Sequence, residues 1–261
     1  MKELKIRSMI VAPKGHVLMS FDLNQAESWV VAYLANELNM KYSLQYSDIH
    51  TDTAHALTNI PKDEITKPVR YTYKRCNHAF SYRMSASRFV QVVNKDSDKP
   101  PYLVLSLEQG KELYKKWHDY YNLKDWWNDI EISLGSKREL ITPYGRRRVF
   151  FAQWGNELFK EATAFIPQST VADHLNGAVQ PESNIIGGLL EVYKQYGKAI
   201  NIVNQSHDSI MAEVPIGIQD EISSAVIGLI KRPLVINDEQ FTIPVTCEIG
   251  ERWGELEEIK A

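Results

Sequence analysis

Asp22 and Asp208 each stand at the end of a short apolar strand, and the chain between them carries a basic helix. A fold that uses all three must bring two strand ends together across most of the sequence. His16 to Phe21 reads as a short buried strand after the turn at Pro13-Lys14-Gly15, and from Gln25 to Leu38 apolar residues recur at helical spacing. Asp22 therefore sits at a strand end just before a helix. Ile200 to Asn204 and Ile210 to Val214 read as paired strands, with His207-Asp208-Ser209 at or near their turn. Taken singly, an aspartate at a strand end is most often a turn former or a helix cap. As a pair, two such carboxylates can hold two divalent metals about 3.5–4 Å apart.

The helix between them opens at Thr66-Lys67-Pro68, with Thr66 as N-cap and Pro68 in the first turn. At about 100° per residue, Arg70, Lys74, Asn77, His78 and Ser81 fall within about 100° of one another. They form one polar stripe with Tyr82 at its edge. Its N-terminal basic pair can grip phosphates while the later residues meet sugar and base; a solvated helix face is the plainer reading. The segments Phe21–Glu27, Arg70–Tyr82 and Ser206–Ser209 can thus be read as parts of one nucleotidyl-transfer site.

The rest of the chain sets bounds. His50 to Leu57 reads as a short helix, Asn94 to Pro101 as a polar loop and candidate insertion. Leu107 to Leu134 reads as a long aromatic-rich helix interrupted near Asn122. A hairpin is expected from Leu140 to Phe151, helices at Asn156–Val179, Glu182–Gln195 and Gln219–Lys231, and a strand at Phe241–Glu248. Strands and helices without regular βαβ alternation give the class α+β. A chain of 261 residues can form one large domain or two interleaved lobes. Its net charge of −3 argues against nucleic-acid binding, but phosphate contacts need only local basic stripes. Three exist: Lys67/Arg70/Lys74/Arg75, Lys137/Arg138 and Arg146/Arg147/Arg148. Cys76 and Cys247 have no metal-binding spacing, so reduced thiols are expected. The longest apolar run, Trp29 to Ala35, is too short for a bilayer, and the start has no signal-peptide core. No membrane partner and a cytoplasmic location are expected.

The three segments, in this order, resemble motifs A, B and C of the family A DNA polymerases, the bacterial DNA polymerase I and related phage type. Asp22, Gln25 and Glu27 match Asp-x-x-Gln-x-Glu; Arg70, Lys74, Asn77 and Tyr82 match the fingers-helix motif, followed by Met84-Ser85-Ala86; His207-Asp208 matches the start of His-Asp-Glu. Asp48-Ile49-His50-Thr51, Tyr144-Gly145-Arg146-Arg147-Arg148, Gln168 to Asp173 and Gly250-Glu251-Arg252-Trp253 agree.

The resemblance implies an antiparallel palm sheet with helices and an inserted helical fingers subdomain: palm at 1–40, fingers and following helices at 41–135, palm again at 136–261. It implies two magnesium ions on Asp22, Asp208 and the Leu23 carbonyl. The nucleotide group would be Leu23, Gln25, Glu27, His50, Arg70, Lys74, His78 and Tyr82, with His50, Arg70 and Lys74 on the triphosphate. Lys74 also counts as catalytic, protonating the leaving pyrophosphate. Glu27 would be the steric gate under the sugar 2′ position, and Tyr82 would stack near the templating base. Arg147, Arg148, Lys160, Gln168 and His207 would contact the DNA primer–template. The implied activity is template-dependent addition of dNTPs to a primer 3′ end.

Departures from the pattern are His78 for an aromatic Phe or Tyr, Ala79 and Arg83 for two glycines, Lys160 for Arg, and Ser209 for the motif C Glu. They bear on nucleotide selectivity and on how freely the fingers helix bends at its end. Family members carry a thumb, and often an exonuclease-like domain, before motif A. The expectation is therefore a reduced polymerase with a separately encoded N-terminal portion, carrying a thumb with or without an exonuclease, docked beside residues 1–12 and Phe241–Glu248. Two rivals stand beside it: a single-subunit phage-type RNA polymerase, at home with His-Asp-Ser, and a non-catalytic nucleic-acid-binding subunit.

Overall fold

The computed structural model describes residues 6–95, 104–181 and 183–259. The chain runs β1 (His16–Leu23), α1 (Ala26–Leu34), α2 (Leu38–Tyr46), α3 (Ile49–Thr58), α4 (Lys67–Ser81), α5 (Ala86–Lys95), α6 (Leu107–Tyr120) and α7 (Lys124–Lys137). It continues through β2 (Glu139–Ile141), β3 (Arg147–Val149), α8 (Asn156–Asn176), α9 (Gly188–Tyr196), β4 (Asn201–Ser206) and β5 (Ser209–Pro215). It ends with α10 (Gln219–Ile230), β6 (Leu234–Ile236), β7 (Glu239–Phe241), β8 (Val245–Gly250) and β9 (Glu257–Glu258). Helices with an antiparallel sheet make it α+β, as expected. Two compact units result: Met1–Ala26 with Thr142–Arg146 and Gln168–Ala261, and Glu27–Ile141 with Arg147–Pro167.

The first unit is built on a five-stranded sheet in the order β4-β5-β1-β8-β9, antiparallel throughout. Alternation along β1 decides its faces. Met19, Phe21 and Leu23 point into the core, each at most 1% exposed, whereas Ser20 and Asp22 share the opposite face. Each fully buried side chain of that size contributes about 1.5–3 kcal/mol. α10 packs on β5 and β8 and buries Ile222, Val226 and Ile230.

The second unit is helical. Its core centres on Phe80 of α4, whose ring lies 4.8 Å from Phe89, 5.2 Å from Tyr114 and 5.7 Å from Trp117. α5 and α6 cross at Gly110, where an added Cβ would sit 2.2 Å from Val90 Cγ2. That contact requires glycine. α6 starts with a reciprocal cap between Ser106 and Gln109.

Several elements differ from the sequence reading. The helix expected over Gln25–Leu38 breaks at Asn36 (φ +48°), and Glu37 caps α2 by accepting the Met40 N–H at 2.6 Å. The interruption expected near Asn122 is present: Leu107–Leu134 divides into α6 and α7 where Tyr121 and Leu123 turn fully inward. Thr66 precedes α4 but its side chain makes no capping bond. The expected helix from Glu182 begins only at Gly188, and the strand at Phe241–Glu248 is broken at Pro244 into β7 and β8. The expected loop at Asn94–Pro101 lies largely outside the described residues, as do Leu4 and Lys5. Ile6–Met9 is a 3₁₀ turn and Val11 makes a single bridge to Arg252, so this segment is not an open edge strand. β8 is paired on both sides.

Candidate active site

In the first unit, register brings the two aspartates to one place. Asp22 lies opposite Ser209 across the β1–β5 ladder, and the Leu23 N–H donates to the Asp208 carbonyl at 3.0 Å. Asp208 follows His207 in the tight turn between β4 and β5. His207 is exposed and held at φ +53°, a conformation that costs an L-residue about 1–2 kcal/mol. Beside Asp22 opens a cavity of about 340 Å³ lined by Ser20, Asn24, Ser209, Thr246 and Glu248 among others. Asn24 and Thr246 exchange side-chain hydrogen bonds at 2.7 and 2.9 Å, which tie the end of β1 to β8. Ser209, in place of a third carboxylate, donates to the Ser206 carbonyl at 3.0 Å and so closes the turn.

Asp22 at the end of β1 and Asp208 in the β4–β5 turn, with the Leu23 carbonyl next to Asp22, would offer hard oxygen donors of the kind magnesium takes. Among the described residues no group of three or more His, Cys, Asp or Glu is placed to hold a metal. Magnesium fits such a sparse set because it keeps several waters and binds through one or two carboxylates plus substrate phosphate. Gln25 follows in the left-handed region (φ +55°), with its side-chain oxygen buried and unpaired among the described residues. Gln168 is exposed on α8.

In the second unit, α3 and α4 assemble a basic group. Asp48 caps α3, accepting the Thr51 N–H at 2.8 Å, and grips Arg70 with both oxygens: Nε donates at 2.8 Å and Nη2 at 2.6 Å. Burial pushes the Asp48 carboxyl up, but the bonds from Arg70 and Thr51 outweigh it and hold it at about 2. Arg70 is thereby fixed as a fork. His50, 4% exposed, is driven down to about 4 by burial; the Asp48 charge opposes this and Arg70 and Lys74 reinforce it. It is neutral at pH 7.

The position of its proton follows from neighbours. Trp117 Nε1–H, a donor only, donates at 2.8 Å to the Asn77 atom that must therefore be oxygen. The other amide atom is the NH2, which donates to Thr53 Oγ1 at 2.9 Å and meets His50 Nδ1 at 3.1 Å. Nδ1 is the acceptor, so His50 carries its hydrogen on Nε2. Thr53 also pairs with the Tyr121 hydroxyl at 2.7 Å. Asn77 and Ser81 are buried, which corrects the expected stripe: only Arg70, Lys74 and His78 remain on the outer face of α4.

Glu27, His78 and Tyr82 do come together. The Tyr82 hydroxyl donates to the Glu27 carboxylate, and the His78 ring meets Tyr82 edge-on at 5.2 Å. Burial, then the Glu27 charge and the hydrogen bond, push the Tyr82 phenol well above its ordinary value. The expected DNA-contact cations are paired with carboxylates: Arg147 with Glu139 at 2.7 Å, Arg148 with Glu161, and Lys160 with Glu157 at 2.7 Å. Such exposed pairs are weak and exchange readily for phosphate. Arg146, read as part of that basic run, instead grips Asp173. Sequence reasoning missed Asp48 as the orienter of Arg70; its spacing before Thr51, that of an N-cap, was the available signal.

The family model of DNA polymerase family A matches residues 1–255. The chain belongs to this family. Among family A relatives, DNA polymerase I of Treponema pallidum is 36% identical over 264 residues, covering 97% of this chain and 24% of the relative. DNA polymerase I of Borreliella burgdorferi is 24% identical, covering 98% and 27%, and the DNA polymerase of Escherichia phage T5 is 23% identical, covering 94% and 30%. The chain thus spans between about a quarter and a third of the length of these relatives. The fold is shared with the POL domain of Pol1 from M. smegmatis in complex with DNA primer-template and dNTP, at a TM-score of 0.76 and 22% identity, over 95% of this chain and 42% of that one. Among the described residues no helix is long and apolar enough to cross a membrane.

Proposed function

We propose that the chain is the nucleotide-adding part of a template-dependent DNA polymerase, extending a primer 3′ end with dNTPs. The sheet unit serves as palm and the helical unit supplies the fingers. The observation that carries this reading is the meeting of Asp22 and Asp208 at one end of a single sheet, tied by the Leu23–Asp208 backbone bond at 3.0 Å. Asp22, Asp208 and the Leu23 carbonyl would hold two magnesium ions. Metal bound by these residues would supply Lewis-acid chemistry, lowering the pKa of the primer 3′ hydroxyl and offsetting charge on the leaving group. The chain's own residues do the rest. Arg70 and Lys74 bind and orient the triphosphate, and His50 offers a neutral Nε2–H donor to it. Lys74 gives a proton to the departing pyrophosphate. Glu27, anchored by Tyr82, fills the space a 2′ hydroxyl needs and favours deoxynucleotides over the RNA-polymerase alternative.

The same reading assigns DNA contacts to Arg147, Arg148, Lys160, Gln168 and His207. Ile6, Met9, Ile10 and Val11 are all at least 42% exposed. They offer an apolar strip on which a thumb-bearing portion of the polymerase would pack.

Primer extension by the purified chain with and without Mg²⁺ tests the activity. Asp22→Ala or Asp208→Ala should abolish incorporation with little change in stability, because a carboxylate that mainly serves metal adds charge repulsion to the metal-free protein. Near-normal extension by either variant would sink the two-metal assignment.

A further inference from the structure

Arg83 occupies a backbone conformation that L-residues rarely take. It follows the last turn of α4 at φ +60°, and the turn closes with Arg83 N–H donating to the Phe80 carbonyl at 3.1 Å and Met84 N–H to the Ala79 carbonyl at 3.0 Å. Glycine is the usual residue in this helix ending, because it has no Cβ to conflict. Glycine would also let the turn open without penalty. Arginine stays there only if something holds it, and its side chain is held on three sides. Nη1 donates to the Glu131 carboxylate and Nη2 to the Trp127 carbonyl at 2.9 Å. The guanidinium carbon lies 4.9 Å from the Trp127 ring centre and 5.5 Å from that of Phe159. The arginine side chain is only 14% exposed, so its ion pair is little screened. The end of α4 is clamped to α7.

The residue directly before this clamp is Tyr82, whose hydroxyl holds the Glu27 carboxylate. A glutamate side chain has several rotamers, and one hydrogen bond from a fixed donor selects among them. We propose that Arg83 is a positioning residue for sugar selection: by locking the end of α4 onto α7 it fixes Tyr82, and through Tyr82 the Glu27 carboxylate, where a ribose 2′ hydroxyl would have to go. Arg83 acts without touching the nucleotide. The inference rests on the reading of Glu27 as the sugar gate.

The test compares Arg83→Gly, Arg83→Lys, Tyr82→Phe, the Arg83→Gly/Tyr82→Phe double variant and Glu27→Ala in the full chain. The readout is the ratio of ribo- to deoxynucleotide kcat/KM on a primer–template. Arg83→Gly should raise the ratio about tenfold, the size of a mid-range coupling between neighbouring groups. Arg83→Lys, which keeps the charge but loses the fork, should fall between Arg83→Gly and the unmodified chain. The double variant should exceed Tyr82→Phe by little, since both act along one path. Hydrogen exchange at residues 82–84 should speed up in Arg83→Gly, with or without catalysis. If Glu27→Ala leaves the ratio unchanged, the gate reading fails and takes this inference with it. If Glu27→Ala shifts the ratio and Arg83→Gly does not, or the effects of Arg83→Gly and Tyr82→Phe simply add, the positioning role alone is overturned. Unchanged exchange at 82–84 overturns the clamp.

Discussion

Truncating Asn77 to alanine should cost the chain roughly 4–6 kcal/mol of stability. The amide's three shortest buried bonds run to Trp117, Thr53 and His50 at 2.8, 2.9 and 3.1 Å. At about 1 kcal/mol net each they amount to roughly 3 kcal/mol. Trp117 and Thr53 are fully buried, so water does not replace the lost partner, and the orphaned indole N–H adds roughly 1–3 kcal/mol. Urea unfolding followed by tryptophan fluorescence measures this as a lower midpoint at constant slope. A second variant separates network from packing. Asn77→Asp keeps an acceptor for Trp117 but removes the donor and brings a negative charge beside His50. Proton titration of the histidines, assigned with a His50→Gln variant, should find His50 near 4 in the unmodified chain and higher in Asn77→Asp. A loss below about 1 kcal/mol in Asn77→Ala, with His50 titrating at its ordinary value, would refute the network and the proton position derived from it.

Lys74→Ala should slow single-nucleotide addition by roughly 10²–10³, the cost of losing one preorganised charge-stabilising group; an unchanged rate would remove α4 from the chemistry. Gly110→Ala should destabilise by about 1–3 kcal/mol, read from thermal or urea unfolding, because its Cβ would run into Val90; an unshifted midpoint would mean the α5–α6 crossing is looser than drawn. His174 is fully buried and bonded through Nδ1 to the Tyr144 hydroxyl, and burial followed by the Arg232 charge drives it down to about 3. Its folded value lies below its unfolded one, so this stabilisation is present above about pH 6.5 and falls by roughly 1.4 kcal/mol per unit as pH drops toward 3. Unfolding midpoints measured from pH 7 to 4 should show a shallower decline in His174→Gln; an identical decline would contradict the assignment.

Periodicity and caps made β1, α3, α4 and the β4–β5 hairpin legible, because each is a local pattern of alternation or helical spacing ended by a turn former. The position of Asn77 was not legible. It sits on the rim of the polar stripe, where rotation of a few tens of degrees decides between water and core, and its partner Trp117 lies 40 residues away. The break at Asn36 was hidden for a related reason, whereas the interruption near Asn122 was legible. Apolar residues continue from Leu34 past Asn36 to Leu38, and only the left-handed turn at Asn36 ends one helix and lets another begin. The Asp48–Arg70 grip needed both helices in place before it could be seen. The open face around Asp22 was half legible: alternation separates Ser20 and Asp22 from Phe21, but which strands flank them is a matter of sheet order.

The pairing of β1 makes quality control inseparable from catalysis. Side chains alternate across a strand, so a slip of one residue would carry Asp22 to the apolar side and bring Phe21 or Leu23 out into water. A chain that closed its sheet in the wrong register would both bury an unpaired charge and lose the proposed metal-binding end. Such an error disposes of itself, because the misassembled form is unstable and idle at once. Substitutions of the inward-facing residues of β1, such as Met19 and Phe21, are therefore expected to damage activity and folding together, whereas those on the outer face of α4 can change one and spare the other.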